Sequence, residues 1–194
     1  MSDVNQLAFS TLACIDWSLE QVARAARAYG YDGVELRGQG RQHVSPELTA
    51  AERAETRRLF ASHGLAIVAV SAYTRFAYLE PKQRRENEDE LRRFIDLAAD
   101  LGAPVVRTFG GIFPEGADPT AVEGWIVESL AAVAPQAAAA GVQVGLEAHD
   151  ELVQPQRLAR LAAQLPSPGL GVLWDVGNPY QAGYSLADAR AAVR

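Results

Sequence analysis

Cysteine is almost absent. Cys14 stands alone, so no disulfide can form within the chain, and a reducing compartment fits. Basic residues are in the minority, 18 Lys and Arg against 24 Asp and Glu, for a formal net charge of −6. That balance lacks the positive stripe that a phosphate backbone demands, so no nucleic-acid partner is expected. No apolar run approaches the roughly 20 residues of a membrane span. The start, Met1 to Gln6, is polar, with neither a basic flank nor an apolar signal core. No membrane partner is expected, and a soluble, cytoplasmic protein follows. Histidine is scarce as well, at three residues, which limits any metal site that would depend on it.

What the chain does have is a regular alternation. Its 194 residues, 48% of them hydrophobic, suffice for one sizeable core, and a single domain over 1–194 is expected. Short apolar runs rich in Val, Ile and Leu recur at roughly 25 to 40 residues, room for a crossover helix between parallel strands. The predicted strands are Leu7–Leu12, Gly33–Arg37, Ala66–Ala72, Pro104–Phe109, Val142–Ala148 and Leu170–Val176. Predicted helices lie between them: Leu19–Tyr29 after Ser18, Pro46–Ser62 after Ser45, Glu86–Leu101, Ala121–Ala140 with a kink at Pro135, and Pro155–Leu165. Gly30, Gly64, Gly102 and Gly141 read as helix stops. The charged stretch Lys82–Glu90 reads as a solvated helix face. An α/β barrel or a doubly wound sheet is implied.

In either architecture ligands gather at the carboxyl ends of the strands. Those ends carry Glu35 and Arg37, then Arg107-Thr108-Phe109-Gly110-Gly111, then Glu147-Ala148-His149-Asp150, then Asp175-Val176-Gly177-Asn178. Residues two apart on a strand share a face. Glu147 then lies with Gln143 and Gly145, opposite Val142, Val144 and Leu146, and Glu35 and Asp175 fall on the corresponding side of their strands. A carboxylate there must be paired, hydrogen-bonded or on a metal, because burying it bare costs too much. Pairing of Glu147 with Arg107, or of Glu35 with Arg37 or Arg107, satisfies the same requirement, as an Asx-turn does for Asp175 and a bond to Asp150 for His149.

Three segments then become specific together. Gly33-Val34-Glu35-Leu36, Val144-Gly145-Leu146-Glu147-Ala148-His149-Asp150 and Leu173-Trp174-Asp175-Val176-Gly177-Asn178-Pro179 resemble the strand motifs of the sugar phosphate isomerase/epimerase family, xylose isomerase-like TIM barrels. The resemblance implies a (β/α)8-type barrel, here with about six βα units, parallel strands and helices outside. It implies that Glu147 and Asp175 bind a divalent metal (Mn, Mg, Co or Zn), with Glu147 also the catalytic acid or base. Glu35, Arg107, His149 and Asn178 would bind substrate. Two further family ligands, a histidine and a glutamate on the seventh and eighth strands, have no counterpart in six units. The function implied is metal-dependent isomerisation or epimerisation of a sugar, sugar phosphate or similar polyhydroxylated carbonyl compound, through proton abstraction and an enediolate. The alternatives are a polyol-ketone dehydratase of the same superfamily, or a non-catalytic truncated barrel that binds a ligand or partner. The apurinic endonuclease branch needs a three-zinc cluster rich in histidines, which three histidines do not supply. A six-strand sheet leaves edges open at Leu7, Phe9 and Val172, so a homo-oligomer is expected.

Other residues carry plainer readings. Cys14 reads as a small buried apolar residue and His63 as a cation at a helix C-terminus. His43 reads as exposed, Trp17, Trp125 and Trp174 as packing anchors, and Gly110-Gly111 as a tight turn. Phe113 and Tyr180 are candidates to close over a ligand.

Overall fold

The computed structural model describes residues 6–39, 43–165 and 168–192, so most of the polar start, Met1 to Asn5, lies outside it. Six strands, β1 (Ala8–Ser10), β2 (Gly33–Arg37), β3 (Ala66–Ser71), β4 (Val105–Thr108), β5 (Gln143–Glu147) and β6 (Leu170–Leu173), form one sheet in sequence order. Every neighbouring pair is parallel. Between them run α1 (Leu19–Ala28), α2 (Ala50–Ser62), α3 (Pro81–Leu101), α4 (Pro119–Ala140) and α5 (Pro155–Ala162), and α6 (Gly177–Gln181) and α7 (Leu186–Ala192) follow β6. The strand order never reverses, which excludes the doubly wound alternative and leaves the TIM-barrel type. Among the described residues no helix is long and apolar enough to cross a membrane.

The two faces of the sheet differ as the alternation predicts. Val34, Leu36, Val70, Val106, Val144 and Leu146 are essentially buried, packed in one core with Leu91, Ile95, Ile126 and Leu130 of the helices. The opposite face carries Glu35, Ser71, Arg107 and Glu147. Helices α3 and α4 end on Gly102 and Gly141, at φ 73° and 67°, a left-handed conformation glycine adopts without a Cβ penalty.

Several boundaries depart from the sequence reading. The second helix starts at Ala50 rather than Pro46, because Thr49 and Glu52 form a reciprocal capping box that Ser45 cannot match. The third and fourth helices start earlier, at Pro81 and Pro119, since proline is at home in a first helical turn, where no N–H is needed. Pro135 stays inside an uninterrupted α4. The first and last strands are shorter than expected. Ser10 caps a 3-10 turn at Thr11–Cys14 through a bond from the Leu12 N–H, and β6 stops at Leu173, leaving Asp175 beyond it. Cys14 is buried as expected. His43 instead is half-buried, with its Nε2 3.1 Å from the Trp17 carbonyl. Trp17 is 43% exposed rather than a packing anchor. His63 caps the end of α2, its Nδ1 3.0 Å from the Leu59 carbonyl.

Candidate functional site

Arg107 organises the polar face. It pairs across the β4–β5 ladder with Gly145, which presents no side chain in that layer. The guanidinium therefore reaches along the sheet to two carboxylates. Its Nε donates to Glu35 Oε1 at 2.7 Å, and its Nη1 donates to Glu147 Oε2. The Ser71 hydroxyl donates to Glu35 and accepts from Arg107 Nη2 at 3.0 Å. The side chains of Arg107 and Glu147 keep only 12% and 5% of their exposure, and Glu35 keeps 19%. Burial works against the Arg107 charge, but the fields of Glu35 and Glu147 outweigh it and raise its pKa. Glu147 moves up from the ordinary 4.5, chiefly through burial. Arg107 and His149 pull it partly back, and the charge of Asp175 pushes it further up.

Asp175 lies two residues beyond Leu173, the ladder partner of Glu147. Its Oδ1 accepts the backbone N–H of Asn178 at 2.7 Å, the Asx-turn foreseen for it. The Asn178 side-chain amide donates to the Ala148 carbonyl at 3.1 Å, tying the end of β6 to that of β5. Beside them His149 sits with its Nδ1 2.9 Å from Asp150 Oδ1, close in distance but misaligned as a hydrogen bond, so that Nδ1 is left without a hydrogen-bond partner. Asp150 itself has φ 48°, an uncommon conformation that Asp tolerates better than most residues. The structure thus brings Glu35, Arg107, Glu147, His149, Asp175 and Asn178 to the carboxyl ends of four strands.

Above this layer the side chains turn aromatic. Phe109, 3% exposed, meets His149 edge-on at 4.9 Å and Tyr73 at 5.6 Å. Arg107 lies 5.1 Å from the Phe109 ring centre, and Arg37 lies 5.2 Å from that of Tyr73. Ser71, Tyr73 and Arg75 were missed by sequence reasoning, although a signal was there. The third strand ends in Ser71-Ala72-Tyr73-Thr74-Arg75, as polar as the other strand ends. Gly110 and Gly111 lie in irregular chain rather than in the tight turn expected of them, and the Gly110 carbonyl accepts from the N–H groups of Phe76 and Ala77, linking two rim loops. Phe113 lies under Arg157 at 4.8 Å, and Tyr180 is 65% exposed.

The donor chemistry fits half of a metal site. Among the described residues no group of three or more His, Cys, Asp and Glu side chains is placed to hold a metal ion. Two carboxylates are nevertheless what a hard divalent cation accepts from a protein when water and substrate oxygens complete its shell. Glu147 spends one oxygen on Arg107 and Asp175 one on Asn178, and the other oxygen of each makes no hydrogen bond among the described residues.

A parallel sheet in sequence order with helices alternating with its strands defines a TIM-barrel-type protein, and the cluster of titratable groups at the strands' carboxyl ends is its candidate site. The family model of the xylose isomerase-like TIM barrel matches residues 23–194, and the chain belongs to that family. A comparison with curated proteins finds no match. Among solved structures, the chain is similar to D-psicose 3-epimerase in the presence of D-fructose, at 14% identity and a TM-score of 0.82, over 97% of this chain and 70% of that one. It is similar to a probable 3-DHS dehydratase, AsbF, from Bacillus anthracis, at 15% identity and a TM-score of 0.78, over 98% and 70%. The IolI protein with a bound zinc atom matches at 16% identity and a TM-score of 0.80, over 95% and 67%. The chain thus spans about two thirds of the length of these structures, and at such identities the likeness is one of fold.

Proposed function

We propose that the chain carries the Glu147–Asp175 half of a divalent-metal site in an isomerase or epimerase of a sugar, sugar phosphate or related polyhydroxylated carbonyl compound. The observation that carries this reading is the pair itself. Two carboxylates come from the ends of neighbouring strands, the charge of Asp175 acts on Glu147, and each keeps one oxygen free of hydrogen bonds among the described residues. A hard cation held there would supply polarisation of the substrate carbonyl and its adjacent hydroxyl. The remaining chemistry falls to the side chains. Glu147 takes the proton from the carbon next to the carbonyl: the C–H bond breaks, an O–H bond forms on the carboxylate, and the electron pair moves into an enediolate. Its raised pKa suits a base that must also give the proton back. Glu35 and Ser71 hold Arg107 in place beneath Glu147, while His149 and Asn178 line the wall where substrate hydroxyls would bind. Return of the proton to the neighbouring carbon gives isomerisation, whereas epimerisation needs a second acid to deliver a proton to the same carbon from the opposite face.

Two measurements test the reading. Titration of Mn²⁺ into the protein by calorimetry should show binding that Glu147→Gln and Asp175→Asn each weaken at least about tenfold, the loss of roughly 1.4 kcal/mol or more expected when a charged ligand is removed. In deuterated water, incubation with a ketose should place deuterium on the carbon beside the carbonyl. Mn²⁺ binding untouched by both substitutions rejects the carboxylate pair as the metal site. Binding without exchange would leave a ligand-binding barrel in place of an enzyme.

A further inference from the structure

Arg75 sits at the rim of the site and has no part in the reaction outlined above. It lies in the segment after β3, where strand ends meet ligands in this architecture. Its backbone is pinned on every side. The Arg75 N–H donates to Asn87 Oδ1 at 3.0 Å, Thr74 accepts from the Phe109 N–H at 3.2 Å, and the N–H groups of Phe76 and Ala77 both donate to the Gly110 carbonyl. Its side chain is held as well. A Cβ on Gly111 would come within 3.1 Å of Arg75 Cβ and 3.5 Å of Cδ, so the aliphatic stem packs against a residue that has none. The guanidinium then lies 5.6 Å from the centre of the Phe109 ring, the same ring that carries Arg107 and meets His149. Arg107 is bonded to two carboxylates, whereas Arg75 forms no ion pair among the described residues. A guanidinium over an aromatic ring with no carboxylate partner keeps its N–H donors available to an oxyanion.

We infer that Arg75 is a specificity-determining residue that binds an anionic group, carboxylate or phosphate, on the polyhydroxylated substrate. The inference rests on the reading of the site as a sugar isomerase-type centre and narrows its substrate class from neutral sugars to acidic ones. A preorganised fork recognises both oxyanions by the same two-donor geometry. Position supplies the selectivity, because the Arg75 and Arg107 guanidiniums lie 5.6 and 5.1 Å from the centre of one ring, that of Phe109.

The test compares three probes by calorimetry in the presence of Mn²⁺: D-fructose, D-gluconate and D-fructose 6-phosphate. The protein should bind at least one of the two anions about tenfold or more tightly than D-fructose, and whichever anion wins identifies the oxyanion. Arg75→Gln should remove that preference and leave the thermal unfolding transition cooperative, while Arg75→Lys, which keeps the charge without the fork, should recover only part of it. Equal binding of all three probes, or a preference that survives Arg75→Gln, overturns the inference. The Mn²⁺ titration of Glu147→Gln runs separately. Its failure would remove the metal-site reading while an Arg75-dependent anion preference still stood.

Discussion

At Arg107 two carboxylates, Glu35 and Glu147, depend on one side chain. Removing one partner of a buried pair leaves the others uncompensated, which costs about 3–5 kcal/mol. Arg107→Met should fall near the low end, about 3 kcal/mol, because Glu35 retains 19% of its exposure and water can reach it. Urea denaturation at pH 7 measures this, and a loss below about 1 kcal/mol would mean the cluster contributes little to folding. Glu147 gives the same cluster a pH signature. Its folded pKa is raised above the ordinary 4.5, so the folded state holds that proton more tightly than the unfolded chain does. Its contribution to stability is fully present below about 4.5 and is lost as pH rises toward the folded value. Glu147→Gln in metal-free protein should therefore flatten the decline in stability just above pH 4.5. An unchanged slope there would show that burial does not govern this carboxyl.

The elements show where the sequence was legible. The strands were found because helices cover one face and the other lines a barrel interior, so each reads as a short apolar run with a polar end. Gly33–Arg37 matched the structure residue for residue. Helix starts were harder, since they depend on which of several competing caps closes: Thr49 with Glu52 won over Ser45, and Pro81 and Pro119 opened helices that periodicity placed later. The short α6 was invisible because it is held by tertiary contacts, including the bond from Asn178 to Ala148, rather than by any run of helix formers. Site residues were legible where a carboxylate interrupted an apolar strand, as at Glu35 and Glu147. They were missed where, as at Ser71, a small hydroxyl did the work. Pro135 supplies a test at this scale. It is exposed inside α4 and cannot donate to the carbonyl four residues earlier, that of Ala131. Pro135→Ala restores a helix donor and should raise stability by about 2–3 kcal/mol, read as a higher melting temperature. No gain would mean that α4 tolerates the missing bond at no cost.

For the whole molecule the consequence lies at the two ends of the sheet. In the described structure β1 and β6 each have a strand partner on one side only, and an unpaired edge is a template for further pairing. Of the edge residues singled out in the sequence, Phe9 packs on Tyr31 at 4.9 Å and Val172 is half-buried, whereas Leu7 is 59% exposed. Apolar side chains cluster beside both edges: Leu12, Ile15, Trp17 and Tyr29 near β1, and Val176, Tyr180 and Leu186 after β6, all exposed. Such surface on a protein with a net charge of only −6 favours association over repulsion. We therefore expect a homodimer or larger assembly at micromolar concentration, measured by light scattering. If the β1 edge carries the contact, Leu12→Glu and Trp17→Glu together should return the mass to that of one chain without lowering the melting temperature of the monomer. A wild-type chain that scatters as a monomer and unfolds in one cooperative transition would show that these edges are tolerated in water, and that the site is assembled within a single copy.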